Sequence, residues 1–142
     1  MAALPLRQGL YGQFRKSARI ARKLCANRIA EDLQKHCEKN NREHQCQVPF
    51  RGHVGAVVRW RKLWYALPKA DRCETLKQWI AGQLQTYTAL HHGDTDGFRI
   101  AFSVLGIPVC RDAFINITGI AADTIQQARM QVVGGRPLAL SQ

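Results

Sequence analysis

The chain is expected to be mainly α-helical, with four to five helices, one small β-hairpin and a C-terminal helix-turn-helix. Three observations predict this. Apolar residues recur at steps of three and four over most of the chain. Alternation with a period of two is confined to residues 98–104. Gly119 separates two short helical patterns and has apolar neighbours on both sides. A length of 142 residues suffices for a domain with its own core, and an apolar share of 46% argues against disorder throughout.

The elements follow in order. Over residues 10–37, Leu10, Phe14, Ala18, Ala21, Cys25, Ile29 and Leu33 form one apolar stripe, with Arg15, Arg19, Arg22 and Lys23 on the other face, so a single helix is predicted. Residues 38–53 are polar and punctuated by Pro49 and Gly52, and read as a loop. Residues 54–67 place Val54, Val57, Val58, Trp60, Leu63, Trp64 and Leu67 at helical steps, and Pro68 ends that helix. Asp71 and Glu74 have the spacing of a capping box, and Leu76, Trp79, Ile80, Leu84 and Tyr87 mark the face of a helix running to about Leu90. Residues 98–104 read as a half-buried strand, Leu105-Gly106 as a turn, and Ile107-Pro108-Val109 as a short return strand. Residues 110–118 and 121–132 make the last helix pair, broken by Gly134-Gly135. The organisation expected is a basic helical arm and polar loop (1–50), a helical domain (54–135) and a tail (136–142).

Charge gives the first indication of function. Residues 1–72 carry 16 Lys/Arg against 5 Asp/Glu, whereas residues 73–142 carry 5 of each, so the whole net charge of +11 lies in the first half. Such a balance favours a polyanionic partner, and the acid-free first 30 residues favour a phosphate-tracking face over an ordinary solvated one. No apolar run approaches the roughly 20 residues that span a bilayer, so no membrane partner is expected. Five cysteines, at positions 25, 37, 46, 73 and 110, are odd in number and follow no disulfide-scaffold spacing, which points to free thiols in a reducing compartment, and the localisation expected is nuclear or otherwise intracellular. The Arg-rich, acid-free start also matches a mitochondrial transit peptide.

The second indication is the segment around Gly119. A helix-turn-helix needs a sharp turn, an apolar plug after it and a second apolar residue that locks the recognition helix. Gly119 supplies the turn, Ile120 the plug and Ile125 the lock, with Phe114 and Ile117 on the inner face of the first helix and Ala128 permitting close approach of the two. The outward positions Ala122, Gln126, Gln127 and Met130 are then the candidate base readers, and a glutamine suits adenine in the major groove. Arg15, Lys16, Arg19, Arg22, Lys23, Arg111, Thr124 and Arg129 are the candidate phosphate contacts. Asp123 is better explained as a partner of the helix dipole. A plain αα-hairpin with a glycine turn accounts for the same pattern.

Other clusters carry less. His36, Cys37, His44 and Cys46 lack the pairing of a zinc site. His91, His92, Asp94 and Asp96 are ordinary polar residues of a glycine-containing loop. Trp60, Trp64 and Tyr65, interleaved with Arg59, Arg61 and Lys62, suit base stacking, and equally a helix core with basic rims. There is no phosphate-binding glycine loop and no recognisable catalytic arrangement, so no catalytic residue, metal or cofactor is assigned and no enzyme is expected.

Val109-Cys110-Arg111-Asp112-Ala113-Phe114, followed by Gly119-Ile120 and Thr124-Ile125, resembles a recurring segment of transposon-encoded, integrase- or transposase-like proteins. The Trp79 helix and the 98–104 strand fit that arrangement, and the resemblance covers roughly residues 70–135. It implies a DNA-binding or DNA-positioning module ahead of a catalytic domain with three carboxylates, a domain not expected in this chain, which would then bind without cutting. The expectation is therefore nucleic-acid binding, with duplex DNA preferred. A small basic RNA-associated or organellar protein is the alternative, and a helical protein–protein module with a basic tail is the third.

Overall fold

The computed structural model describes residues 18–35 and 45–134. The described part is mainly helical with one two-stranded antiparallel hairpin. In order there are a helix over residues 18–24 (α1), α2 (Ala26–Gln34), α3 (Val48–Arg51), α4 (Val54–Ala66), α5 (Lys69–Leu90), β1 (Phe102–Val104), β2 (Ile107–Val109), α6 (Arg111–Thr118) and α7 (Ala122–Arg129), which opens into a π-helical turn at Met130–Gly134.

One core runs through the described residues, and α6 sits at its centre. On one side α2, α3 and α4 enclose Ile29, Leu33, Phe50 and Val57. On the other, α5 carries Leu76, Ile80 and Leu84, and α7 adds Ile125 and Ala128. Phe114 of α6 stacks on Trp79 at 5.6 Å between centroids and meets Phe102 of β1 at 4.9 Å, so the hairpin is pinned to the helices by aromatic packing. That packing is what such a short hairpin needs. Val104 pairs with Ile107, and the two residues between them, Leu105 and Gly106, both have positive φ (51° and 79°). This is the two-residue turn whose twist matches the strands.

Four expectations are corrected. The single helix over residues 10–37 is interrupted at Cys25, whose ψ of 119° is extended, and α2 ends before Lys35. The interruption has a cause. The Lys23 carbonyl, which would accept from the Asn27 N–H in a continuous helix, is held instead by Arg61 Nη1 at 3.0 Å. The stripe therefore does not continue. Ile29 and Leu33 are buried, whereas Ala18, Ala21 and Cys25 are exposed, and Leu10 and Phe14 lie outside the described residues. Within the expected loop, residues 48–51 form a helical turn with Pro49 at its start.

The capping box at Asp71 and Glu74 does not form. Helix α5 begins at Lys69 behind Pro68, whose carbonyl accepts from the Arg72 N–H at 3.0 Å, and Glu74 pairs with Lys77. Finally, the strand is confined to residues 102–104 because the segment before it bonds to side chains. The Gln83 amide takes both the N–H (2.7 Å) and the carbonyl (3.1 Å) of Ala101.

Candidate functional site

The arrangement of the basic residues depends on two side chains of α4. A helix leaves its last four carbonyls without partners. In α6 all four are satisfied: Ile115 by the Gly119 N–H (2.9 Å), Asn116 by Arg61 Nη2 (2.8 Å), Ile117 by Arg61 Nε (2.8 Å) and Thr118 by the Tyr65 hydroxyl (3.0 Å). A cation at a helix C-terminus also suits the dipole. Arg61 Nη2 further meets Asp32 Oδ2 at 3.2 Å, so this one guanidinium, only 1% exposed, joins α1, α2, α4 and α6. The α2 end is treated alike, with the Gln47 amide on the Asp32 carbonyl (2.8 Å) and Arg51 Nε on that of Leu33 (2.9 Å). The positive charge of the first half is thus partly structural.

The other cations converge, and one of them, Arg72, is itself partly structural, donating from Nη1 to the Leu67 carbonyl at 2.6 Å. Lys23 Nζ lies 5.0 Å and Arg72 Cζ 5.3 Å from the centroid of the Tyr65 ring, inside the reach of a cation–π contact. Arg19, Lys23, Lys69 and Arg72 line a groove of about 580 Å³ that also includes Ala121 and Thr124 at the start of α7. A smaller recess of about 260 Å³ adjoins it through Lys23, Ile120 and Ala121, and brings in Arg22, Arg28, Lys35 and Arg61, with Asp32 the carboxylate among its lining residues. Asp32 is already engaged by Arg61 and by Lys35 at 3.1 Å.

Burial and, after it, the crowding of like charge both act on Lys23. Burial pushes the Lys23 ammonium below its ordinary pKa, and Arg72, Arg61 and Arg19 push it further. The charged form therefore costs the fold stability at neutral pH, a cost relieved as pH rises towards 10.5 or when an anion enters the groove. Burial also holds the Tyr65 phenol neutral, raising its pKa to about 12 against the pull of Arg61 and Arg72. The neutral phenol's contribution is complete below pH 10 and is lost as pH rises to about 12. Thermal melts across this window should show an alkaline loss of stability that Tyr65→Phe reduces. An unchanged alkaline limb would contradict the burial argument.

The turn and core residues of the Gly119 segment lie where the sequence puts them. Gly119 is left-handed with φ 74°, and Phe114, Ile117, Ile120, Ile125 and Ala128 are buried. The partnership of the two helices differs. Helix α7 packs chiefly on α5, and the close approach expected between α6 and α7 is made between α5 and α7. Of the outward positions, Gln126, Gln127 and Met130 are exposed and Ala122 is half-buried, with Met130 at the start of the π-helical turn. Thr124, Arg19 and Arg22 are exposed and Lys23 is half-buried. Arg129 is committed elsewhere, donating from Nη2 to the Phe98 carbonyl at 3.0 Å, and Arg111 is half-buried at the start of α6. Arg15 and Lys16 lie outside the described residues.

The groove's Lys69 and Arg72, and the recess's Arg28 and Lys35, have no signal in the sequence beyond their charge, because nothing local brings α5 beside α1. Several members of the other clusters bond or stack within the protein. His91 donates from Nδ1 to the Tyr87 carbonyl (2.8 Å) and stacks on its ring, and Asp94 Oδ1 accepts from the Asp96 N–H at 2.9 Å. His36, Cys37 and His44 lie outside the described residues, among which no group of three or more ligands is positioned for a metal. Trp60 and Trp64 stack on each other at 5.6 Å. Among the described residues no helix is long and apolar enough to cross a membrane. No family model matches the chain, and neither a curated protein nor a solved structure matches it.

Proposed function

We propose that this protein binds nucleic acid, duplex DNA in the first instance, with the phosphate backbone seated along the cationic groove. The observation that supports this is the convergence of Arg19, Lys23, Lys69 and Arg72 on the side of the molecule where α7 begins. Phosphates are attracted where the cations are denser than internal pairing requires. Gln127 stands one turn beyond Thr124 on α7 and is exposed, as is Gln126 beside it, so a backbone held in the groove leaves α7 with amides to offer a base edge. The transposase-like character and a nuclear site of action belong to this proposal and rest on residues 109–125 and on the DNA partner.

Binding of the full chain to random-sequence duplex DNA and single-stranded RNA across a salt series tests it. Wild-type affinity should fall steeply with salt, and Arg19→Ala and Arg72→Ala should each weaken binding to all sequences and reduce the salt slope by about one. Gln126→Ala with Gln127→Ala should relax sequence preference at unchanged salt slope. Absence of salt-dependent binding to either polymer would leave a helical protein–protein module as the better account.

A further inference from the structure

The groove is not uniformly polar. Its cations stand beside Ile20, Trp64 and Leu67, which are at least partly exposed, and its lining also includes the nearly fully buried Leu76 and Ile120. A surface that merely tracks a duplex backbone needs only charge, whereas apolar and aromatic lining gains nothing from phosphates. A groove of about 580 Å³ also falls inside the roughly 300–1,000 Å³ of small-molecule sites. Cations and an apolar, aromatic surface within one concavity match a ligand with an anionic group and a planar, poorly solvated body held a few ångströms apart. An unpaired nucleotide has that form: a base for Trp64 and its apolar neighbours, and a phosphate for Lys23, Arg19 and Arg72.

We infer that the groove receives a single unpaired nucleotide, so that the protein prefers nucleic acid carrying a single-stranded end or a displaced base over an uninterrupted duplex. This deepens the nucleic-acid reading above and rests on it. Base pairing would hide the apolar face of the base inside the stack, and an overhang presents it without the cost of unpairing.

The geometry also sets what does not fill the site. Inorganic phosphate meets the cations and leaves the apolar lining exposed. A nucleoside does the reverse. Only the two parts joined meet both.

The test compares two labelled duplexes of one sequence, one blunt and one with a three-nucleotide overhang, binding the full chain at fixed salt. The overhang should tighten binding about ten-fold. A nucleoside 5′-monophosphate should displace it at concentrations where the nucleoside and inorganic phosphate, at matched ionic strength, do not. Trp64→Leu keeps an apolar side chain without the aromatic face, and should bring the preference for the overhang towards one. Equal affinity for the two duplexes in wild type overturns the inference while leaving nucleic-acid binding intact. No binding of either duplex at low salt overturns both. Displacement by phosphate as effective as by the nucleotide overturns the role given to the apolar lining. The wild-type comparison decides the matter even where Trp64→Leu does not fold.

Discussion

Arg61→Met is expected to destabilise the fold by about 3–5 kcal/mol, the scale for removing one partner of a buried charged network. Methionine fills a similar volume, so the loss is one of bonding and not of packing. The carbonyls of Asn116, Ile117 and Lys23 lose their donors, and Asp32 keeps only the exposed Lys35. Each acceptor left without a partner in a dry setting costs about 1–3 kcal/mol. Asp32 is 27% exposed and can turn to water, so Asp32→Asn should cost much less. Urea unfolding monitored by far-UV dichroism would show the midpoint of Arg61→Met well below that of Asp32→Asn at similar slope. Equal midpoints would mean that the carbonyls, and not the carboxylate alone, find other partners. Arg61→Lys should recover only part of the loss, because an ammonium cannot present the planar fork that serves two adjacent carbonyls of α6.

Gly119→Ala is expected to cost about 2–4 kcal/mol, from two separable terms. A side chain at φ 74° carries about 1–2 kcal/mol of left-handed strain. The added Cβ would also stand 3.2 Å from the Tyr65 hydroxyl and 3.3 Å from Arg61 Cζ, the two groups that cap α6, so the capping network must shift. Gly119→Asn tells the terms apart, since asparagine tolerates the left-handed conformation but brings the same Cβ. A cost for Asn close to that for Ala places the loss in the collision. A near-neutral Asn places it in the backbone, and a near-neutral Ala contradicts the geometry at Gly119 altogether. Because Gly119 borders the recess beside the groove, these variants should be compared for binding only at temperatures where both remain folded.

Both predictions concern one junction, and the sequence shows only one side of it. Gly119 is visible as a turn because a lone glycine between two helical patterns is a local signal. Arg61 is not visible, because its partners lie at Lys23, Asp32, Asn116 and Ile117, on three other elements. Within the local arginine–tryptophan alternation of residues 59–64 it looks like one more rim cation, yet it is among the most buried side chains described. Gln47 is a second such case. It is 2% exposed in a stretch that reads as polar loop, with its amide bridging the Asp32 carbonyl and the Asn116 side chain.

The functional reading has the same division. An excess of charge in the first half, and exposed Gln126 and Gln127 on a helix after Gly119, follow from composition and periodicity. The meeting of Lys23 with Arg72, and the loss of Arg61, Arg51 and Arg129 to carbonyls, do not.

What the sequence determined by itself was the helical class, the helices over residues 54–66 and to Leu90, the return strand, and the burial of Phe114, Ile117, Ile120, Ile125 and Ala128. Each of these is set by spacing or by turn chemistry within a few residues. Tertiary structure alone decided where the first helix breaks, which helix α7 lies against, and which arginines are drawn to distant carbonyls. A backbone carbonyl takes whichever donor the fold brings to it, and no periodicity along the chain records that choice.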